Sequence, residues 1–303
     1  MDLMPRPLGF AAGALDGLSE RLVASHHGNN YTGAVKRLNA IRTELATIDF
    51  AAAPGFQLNG LKREELVATN SMLLHELYFE SLGGDGRTMA PAMGLALDAN
   101  FGSVDRWRAE FTAMGKALGG GSGWVLLAFL PREGTLVNQW AADHTHALAG
   151  GVPILALDMF EHAYHLDFGA AAAAYVDAFM ANIDWTQVYQ RYQAAVQGAS
   201  EPFAAGQDDL ATAQVLDVRR AGMFEKAESL IAGAVWRDPA AVADWAGDVP
   251  TDKEVVVYCV YGHEVGRTTA LRLRAQGVRA RFLRGGIDAW EAAGRPVVGR
   301  PRP

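Results

Sequence analysis

The chain has 303 residues, which is long for one domain of ordinary size and predicts two domains. Half of the residues are hydrophobic and a fifth are charged, as is usual for globular proteins in water. The formal net charge of -7 argues against a general nucleic-acid partner and against binding to an anionic membrane surface. No apolar run approaches the length of a membrane span.

The cysteine content bears on the compartment. The single cysteine, Cys259, excludes a disulfide framework within the chain and fits a reducing environment. The first ten residues lack the charged and long apolar regions of a signal peptide. Together these features predict a cytoplasmic protein.

Helical spacing of apolar residues dominates the first part of the chain. It predicts helices over 16–48, 62–82 and 103–118. Strands are predicted over 124–130, 135–139 and 152–157, with helix again from residue 175. Helices followed by a small sheet indicate an α+β arrangement. The first two helices each carry a histidine, His26 and His75, and could form half of a metal site between them.

A carboxylate and an imidazole follow the last of these strands. Asp158 comes directly after the strand and His162 four residues later, so the two side chains share one face if the segment is helical. Such a pair suits a transition-metal ion. It is more often a surface or core pair, however, and His75 taken alone is more simply a core histidine. The spacing leaves both interpretations open.

Three stretches carry a resemblance to the iron/manganese superoxide dismutase family, over roughly residues 8–195. They are Asp158–Tyr164, Asn100–Phe111 and Gly121–Trp124. The resemblance implies one manganese or iron ion per subunit, with a solvent molecule as the fifth ligand. Its four protein ligands fall on His26, His75, Asp158 and His162. It also implies superoxide dismutase activity, in which redox cycling of the metal converts superoxide to oxygen and hydrogen peroxide.

Close to the implied metal, the sequence departs from the family. Asn30 and Ala34 stand where the family usually has a His and a Tyr that gate the active site, and Ala34 cannot donate a proton. Gln139 matches the glutamine that hydrogen-bonds the metal-bound solvent in manganese-type members. The resemblance therefore implies a catalytic role for Gln139 and favours manganese. His144 and His146 are predicted to lie in a solvated loop.

The resemblance also implies a homo-oligomer, a homodimer or larger, with Glu161, Tyr164 and His165 at the interface. Glu161 matches the residue that bridges to the metal-ligand His of the other subunit. His165 replaces a Tyr that meets the gate His of the partner, whose position Asn30 occupies here. We therefore hypothesise that Asn30 and His165 form a replacement contact across a two-fold interface.

Near residue 198 the composition changes. Residues 198–210 are small, polar and interrupted by Pro, which predicts a linker between a metal-binding domain, 1–197, and a second domain, 211–303. In the second domain, short β-rich runs alternate with helical ones. This alternation predicts βαβ units and an α/β fold with a parallel sheet.

The second domain resembles the rhodanese family over about residues 211–298, most distinctly at Arg284–Trp290. In rhodaneses the cysteine that matches Cys259 carries a persulfide. Cys259 lies between a strand and a helix, so loop N–H groups are expected to lower the thiol pKa and give a catalytic thiolate. Val260 and Glu264 stand where many thiosulfate-using members have basic residues. The expected partner of Cys259 is therefore a sulfur or thiol compound, and thiosulfate is disfavoured.

Two functions of different class follow. The first is a superoxide dismutase with an appended rhodanese-like domain that handles thiols or sulfur. The alternative is a catalytically weak metal-binding scaffold coupled to a rhodanese module for redox or thiol sensing. The four retained ligands and Gln139 favour the enzyme, whereas Ala34 and Glu264 favour the scaffold. We predict the enzyme.

Overall fold

A computed structural model describes residues 2–300 of the chain. Its backbone contacts divide it into two compact units. The first unit ends at Tyr189 and the second begins at Gln190, and the second also includes Phe129–Val137 and Gly150–Val152. Among the described residues, no helix is both long and apolar enough to cross a membrane.

The first part of the chain is helical, as predicted. Its helices are α1 (Glu20–Ser25), α2 (Thr32–Thr47), α3 (Gly55–Glu80), α4 (Pro91–Phe101) and α5 (Val104–Ala117). A π-helical turn, His26–Tyr31, joins α1 to α2, so most of the predicted helix 16–48 forms with one widened turn. Helix α4 was not predicted, although Pro91 in its first turn and the left-handed Gly102 after its end are ordinary boundary signals.

A three-stranded sheet and three further helices follow. The strands are β1 (Trp124–Leu130), β2 (Thr135–Ala141) and β3 (Val152–Asp158), in the order β2-β1-β3. The helices are α6 (His165–Phe168), α7 (Ala172–Ala181) and α8 (Trp185–Ser200). The strand positions agree with those predicted from the sequence, and helices followed by a small sheet confirm the α+β class.

The end of β3 is held by close packing against α5 and α7. Gly115 of α5 lies at the contact, where an added Cβ would come within 2.7 Å of Leu157 and 3.1 Å of Val176. Phe111 and Trp107, one and two turns earlier on α5, are fully buried. This packing fixes the position of Asp158, the last residue of β3.

The second unit is built on a five-stranded parallel sheet, which confirms the predicted α/β class. The strands of this region are β4 (Ala204–Ala205), β5 (Gln214–Asp217), β6 (Ser229–Ile231), β7 (Val235–Trp236), β8 (Glu254–Tyr258), β9 (Arg279–Leu283) and β10 (Val297–Gly299). Its helices are α9 (Ala221–Lys226), α10 (Val242–Trp245), α11 (Glu264–Ala275) and α12 (Gly286–Ala292). The parallel sheet has the order β4-β9-β8-β5-β7, and β6 pairs with β10 in a separate antiparallel ribbon.

Strand β8 is the centre of this sheet and is buried on both faces. Val255 and Val257 belong to the hydrophobic cluster on one side, whereas Val256 and Tyr258 belong to the cluster on the other. This split follows from the alternation of side chains along a strand. Cys259 comes directly after this buried strand.

The predicted linker, 198–210, differs from expectation because it is structured. Helix α8 continues to Ser200, and 3₁₀ turns cover Glu201–Phe203 and Gln207–Ala211. Between these turns, β4 pairs in parallel with β9 and forms one edge of the sheet. Small and Pro-containing sequence suits tight turns as well as linkers, and the open edge of a sheet orders two such residues through backbone hydrogen bonds. The predicted domain boundary at residue 197 stays a prediction.

Candidate metal centre and cysteine loop

The first histidine of the predicted ligand set lies in the π-helical turn. His26 begins that turn and is 1% exposed. Its ring packs against Tyr78 and Phe79, at centroid distances of 5.0 and 4.9 Å. Burial lowers the pKa of His26, so its imidazole is neutral and offers a lone pair. Single π turns within α-helices often occur at functional sites.

The second histidine is oriented by its own helix. The Nδ1 atom of His75 lies 2.6 Å from the Ser71 carbonyl oxygen one turn earlier, so Nδ1 donates and Nε2 is left as the acceptor. Burial lowers the pKa of His75 to about 3. A neutral imidazole with a defined tautomer is therefore held with Nε2 available for a metal ion.

The carboxylate is placed at the end of β3 by two hydrogen bonds. The Asp158 Oδ1 atom accepts the backbone N–H of Phe160 at 2.9 Å, and the Tyr175 hydroxyl donates to the Asp158 carbonyl at 2.8 Å. The segment that follows is a 3₁₀ turn, Glu161–Ala163, and not the α-helix assumed from the spacing. A tight turn after the strand brings His162 beside Asp158, and the Asp158 side chain holds the residue that precedes this turn, Phe160.

Three imidazoles converge on one oxygen atom of this buried carboxylate. The Oδ2 atom of Asp158 lies 3.1 Å from His26 Nε2, 3.2 Å from His162 Nε2 and 3.4 Å from His75 Nε2. The four potential ligand atoms all lie within 4.8 Å of one another. Burial opposes ionisation of Asp158, but His162 and His26 outweigh it and hold the pKa of the carboxyl well below its usual range.

This donor set can hold a transition-metal ion. Three imidazole nitrogen donors and one carboxylate suit first-row metals such as iron or manganese. Asp158 is fully buried, and a buried carboxylate requires compensation by positive charge. The structure therefore brings together all four residues that the resemblance implied, and their chemistry fits a metal.

The catalytic role predicted for Gln139 stays a prediction. Its amide nitrogen donates to the His146 carbonyl oxygen at 2.9 Å, which ties it to the loop after β2. The preference for manganese that rested on Gln139 also stays a prediction.

The residue that the sequence analysis missed is His144, which was expected in a solvated loop. The indole N–H of Trp124 donates to His144 Nδ1 at 3.0 Å. The His144 ring stacks on Phe160, 4.7 Å between centroids, and lies 6.1 Å from the His75 ring. Because Nδ1 accepts, the proton of the neutral ring is on Nε2. The only signal in the sequence was the polar segment around His144 between two strands.

The gate region is also altered in three dimensions. Ala34 is buried, and its methyl group has no hydrogen-bonding capacity. The nearby Tyr31 hydroxyl is already engaged, because it donates to Glu76 at 2.9 Å and accepts the backbone N–H of Arg6 at 2.7 Å. Tyr31 therefore does not supply the free hydroxyl that Ala34 lacks.

The cysteine of the second unit lies in a cradle of backbone donors. Its Sγ atom is hydrogen-bonded by the N–H groups of Tyr261, Gly262, His263 and Gly266, and Cys259 is 5% exposed. Gly262 has φ 67°, and an added Cβ there would lie 2.6 Å from the Gly285 nitrogen. Only glycine fits this position, so the curvature of the loop depends on it.

The expected lowering of the Cys259 pKa is not what the structure supports. Burial raises the pKa of the thiol above its ordinary value, and the hydrogen bonds from the loop N–H groups oppose this effect without overcoming it. The position of Cys259 after a strand predicted the N–H donors of the loop. How deeply the sulfur atom is buried, however, depends on the tertiary structure. The desolvation of the thiolate therefore outweighs the stabilisation by the loop.

Fold and sites together define a class of protein: an α+β domain with a three-histidine, one-aspartate metal centre, joined to a parallel α/β domain with a thiol-bearing loop. Comparison with family profiles agrees. Residues 89–191 match iron/manganese superoxide dismutases, C-terminal domain, and residues 201–293 match the rhodanese-like domain.

Individual relatives extend the match over the first two-thirds of the chain. Superoxide dismutase [Fe] of Cupriavidus metallidurans is 66% identical over 192 residues, 63% of this chain and 97% of the relative. Superoxide dismutase [Mn] 1 of Halobacterium salinarum is 35% identical over 200 residues, 63% of this chain and 95% of the relative. Superoxide dismutase [Fe] of Aquifex pyrophilus is 32% identical over 191 residues, 60% of this chain and 88% of the relative. The chain belongs to the iron/manganese superoxide dismutase family and carries a rhodanese-like domain.

The raised thiol pKa gives a direct prediction for Cys259, the only cysteine of the chain. A raised pKa means less thiolate at neutral pH, so the rate of alkylation by iodoacetamide should rise with pH through a midpoint above that of the unfolded chain, which is about 8.5. The midpoint is measured by mass spectrometry of native and urea-unfolded protein across a pH series. A native midpoint below the unfolded one would contradict the prediction.

Proposed function

We propose that the chain is a superoxide dismutase, and the observation that carries this proposal is the convergence of three imidazoles on Asp158 in a member of this family. Two superoxide ions and two protons would give oxygen and hydrogen peroxide. The metal is held by His26, His75, Asp158 and His162. Bound iron or manganese would supply the one-electron redox chemistry of this reaction.

Iron is the metal that the comparisons favour. The relative with 66% identity is named as an iron enzyme, whereas the manganese-named relative quoted above is 35% identical. Either metal suits the donor set, and one ion per subunit is expected from the single cluster of this kind within residues 2–300.

The surrounding residues prepare the site for proton delivery. Ser71 fixes the His75 tautomer, and Trp124 fixes that of His144. We propose that His144 takes the role predicted for Gln139, because its Nε2–H is a donor on the same aromatic wall as Phe160. A neighbouring donor of this kind tunes the acidity and potential of a metal site.

A second candidate function rests on Ala34. If proton delivery requires the missing hydroxyl, the site would bind metal without fast turnover and act as a scaffold for the rhodanese-like domain. Tyr31 does not compensate, since its hydroxyl is bound to Glu76 and Arg6. Four ligands support both functions, and the donor on His144 supports the enzyme.

For the rhodanese-like domain, we propose that Cys259 accepts and carries a sulfur atom as a persulfide. Four backbone N–H groups around the Sγ atom and the start of α11 stabilise negative charge on sulfur. The thiolate form of Cys259 would be the one that reacts, and the raised pKa keeps the thiolate fraction small at neutral pH.

We further propose a two-fold homo-oligomer. Glu161 and His165 are both exposed on the protomer and are available for a partner. Tyr164, which the sequence analysis placed with them, is 2% exposed and stacks on Tyr175 at 5.3 Å. Tyr164 therefore packs beneath the proposed interface and does not lie on it. The contact between Asn30 and His165 and the cytoplasmic location stay predictions.

Replacement of one metal ligand separates the enzyme from the scaffold. His162→Ala should lose bound metal and superoxide decay together, because one of four ligands is removed. Elemental analysis and stopped-flow decay of superoxide measure both. His146→Ala is the matched control. The His146 ring packs against Trp140, and this variant should keep the bound metal and the rate of superoxide decay. Stoichiometric metal in the wild type with decay no faster than in His162→Ala would establish the scaffold.

The role of His144 is tested by a donor swap. His144→Leu should lower kcat about 10–100-fold with metal retained, because the N–H is lost, and His144→Gln should restore much of the rate. The pH profile of kcat should shift in His144→Leu and not in His146→Leu, which distinguishes a proton donor from a packing residue. An unchanged rate and profile in His144→Leu would refute this role.

The interface proposal predicts a change of mass. Glu161→Ala should move the protein toward monomers in sedimentation velocity, since the bridging carboxylate is lost from both sides of a two-fold contact. Glu44→Ala, which removes another exposed carboxylate on α2, should leave the mass unchanged. A wild-type protein that sediments as a monomer at all concentrations would overturn the proposal.

A further inference from the structure

One carboxylate binds both arginines that flank the cysteine loop. Arg267 Nη1 lies 3.0 Å from Glu201 Oε2, and Arg284 Nη2 contacts the other oxygen, Oε1. The hydrogen bond from Arg267 and the charge of Arg284 lower the pKa of the Glu201 carboxyl, so it is ionised at neutral pH. Glu201 therefore neutralises the positive charge nearest to the loop.

Arg267 is committed to structural bonds. Its Nε donates to the Gly262 carbonyl at 2.9 Å, in the loop that surrounds the sulfur, and its Nη1 also donates to Ser200 Oγ at 3.0 Å. Its guanidinium lies 4.2 Å from the centroid of the Phe282 ring. These contacts hold the Arg267 side chain against the cysteine loop, so its N–H groups donate to other protein groups.

Arg284 lies on the other side of the loop. It follows β9 directly, and its neighbour Gly285 has its nitrogen 2.6 Å from where a Cβ of Gly262 would be. The Arg284 side chain is 65% exposed, so an incoming anion could reach it. Its charge is offset by Glu201, however, which also binds Arg267.

The mouth of the loop is consequently close to neutral. A cleft of about 330 Å³ opens beside the loop and is lined by Gln193, Val196, Gln197, His263, Glu264 and Arg267. Counting formal charges, the two arginines are balanced by the carboxylates of Glu201 and Glu264. A dianion gains little from such a surface, because electrostatic capture requires excess charge of the opposite sign.

We propose that Glu201 determines the specificity of the cysteine site, by selecting organic hydropersulfides, R–S–SH, over the thiosulfate dianion. The inference rests on the proposed sulfur-carrying function of Cys259. The amide side chains of Gln193 and Gln197 in the cleft suit an uncharged polar organic group of such a donor.

The chemical step is a transfer of sulfane sulfur. The Cys259 thiolate attacks the terminal sulfur of R–S–SH, a new S–S bond forms to Cys259, and the S–S bond of the donor breaks. The leaving thiolate, RS⁻, departs with the electron pair, and the proton stays on the transferred sulfur. The products are the Cys259 hydropersulfide and RS⁻, so no external oxidant or reductant is needed.

The test compares two sulfur donors on the full-length protein. The hydropersulfide of N-acetylcysteine methyl ester has no charged group besides its sulfur, and thiosulfate is a dianion. The initial rate at which Cys259 gains the mass of one sulfur atom is followed by mass spectrometry. In the wild type, the hydropersulfide should load faster. Glu201→Gln should raise the thiosulfate rate about tenfold and leave the hydropersulfide rate nearly unchanged.

Controls separate this inference from the function on which it rests. Asp208→Asn removes a carboxylate that pairs with Arg295 away from the loop, and should leave both rates unchanged. Equal loading of the wild type by both donors, or an unchanged thiosulfate rate in Glu201→Gln, overturns the specificity role while sulfur carrying stands. Loading by neither donor, or equal loading of Cys259→Ser, overturns the sulfur-carrying function and the inference with it.

Discussion

The buried carboxylate of Asp158 is the constraint on which the first unit depends. A fully buried carboxylate is costly unless positive charge or hydrogen bonds compensate it. Three imidazoles from three separate segments meet one of its oxygens, and a metal ion at their centre would complete the compensation. The π turn at His26, the carbonyl of Ser71 behind His75 and the tight turn before His162 all serve this one convergence.

Near the metal centre, the chain lacks the hydroxyl that the family usually has and carries an oriented N–H donor on His144. Ala34 removes the hydroxyl that gates the family's active site, and Tyr31 is bound elsewhere. In the loop after β2, the indole N–H of Trp124 fixes the tautomer of His144 and leaves the Nε2–H of His144 as a donor. Our proposal that the loop after β2 delivers protons rests on this oriented donor.

The second unit shows a similar balance around sulfur. Four N–H groups favour a thiolate at Cys259, whereas burial disfavours it, and burial is the larger effect. Charge near the loop is balanced too, since Glu201 binds both Arg267 and Arg284. A loop with little excess positive charge is suited to a donor of lower charge than a dianion, which is the basis of the specificity proposed for Glu201.

The sequence by itself determined the helices that carry His26 and His75, the strand that ends at Asp158 and the parallel sheet that ends at Cys259, because apolar periodicity is a local property. It also placed the four ligands through motif residues. Only the tertiary structure decided that the His144 ring lies beside Phe160 and His75, that Ala204–Ala205 in the predicted linker form a sheet edge, and that Cys259 is deep enough for burial to raise its pKa. These features depend on which distant segments meet and on how much water they exclude. Neither can be predicted from a local sequence pattern.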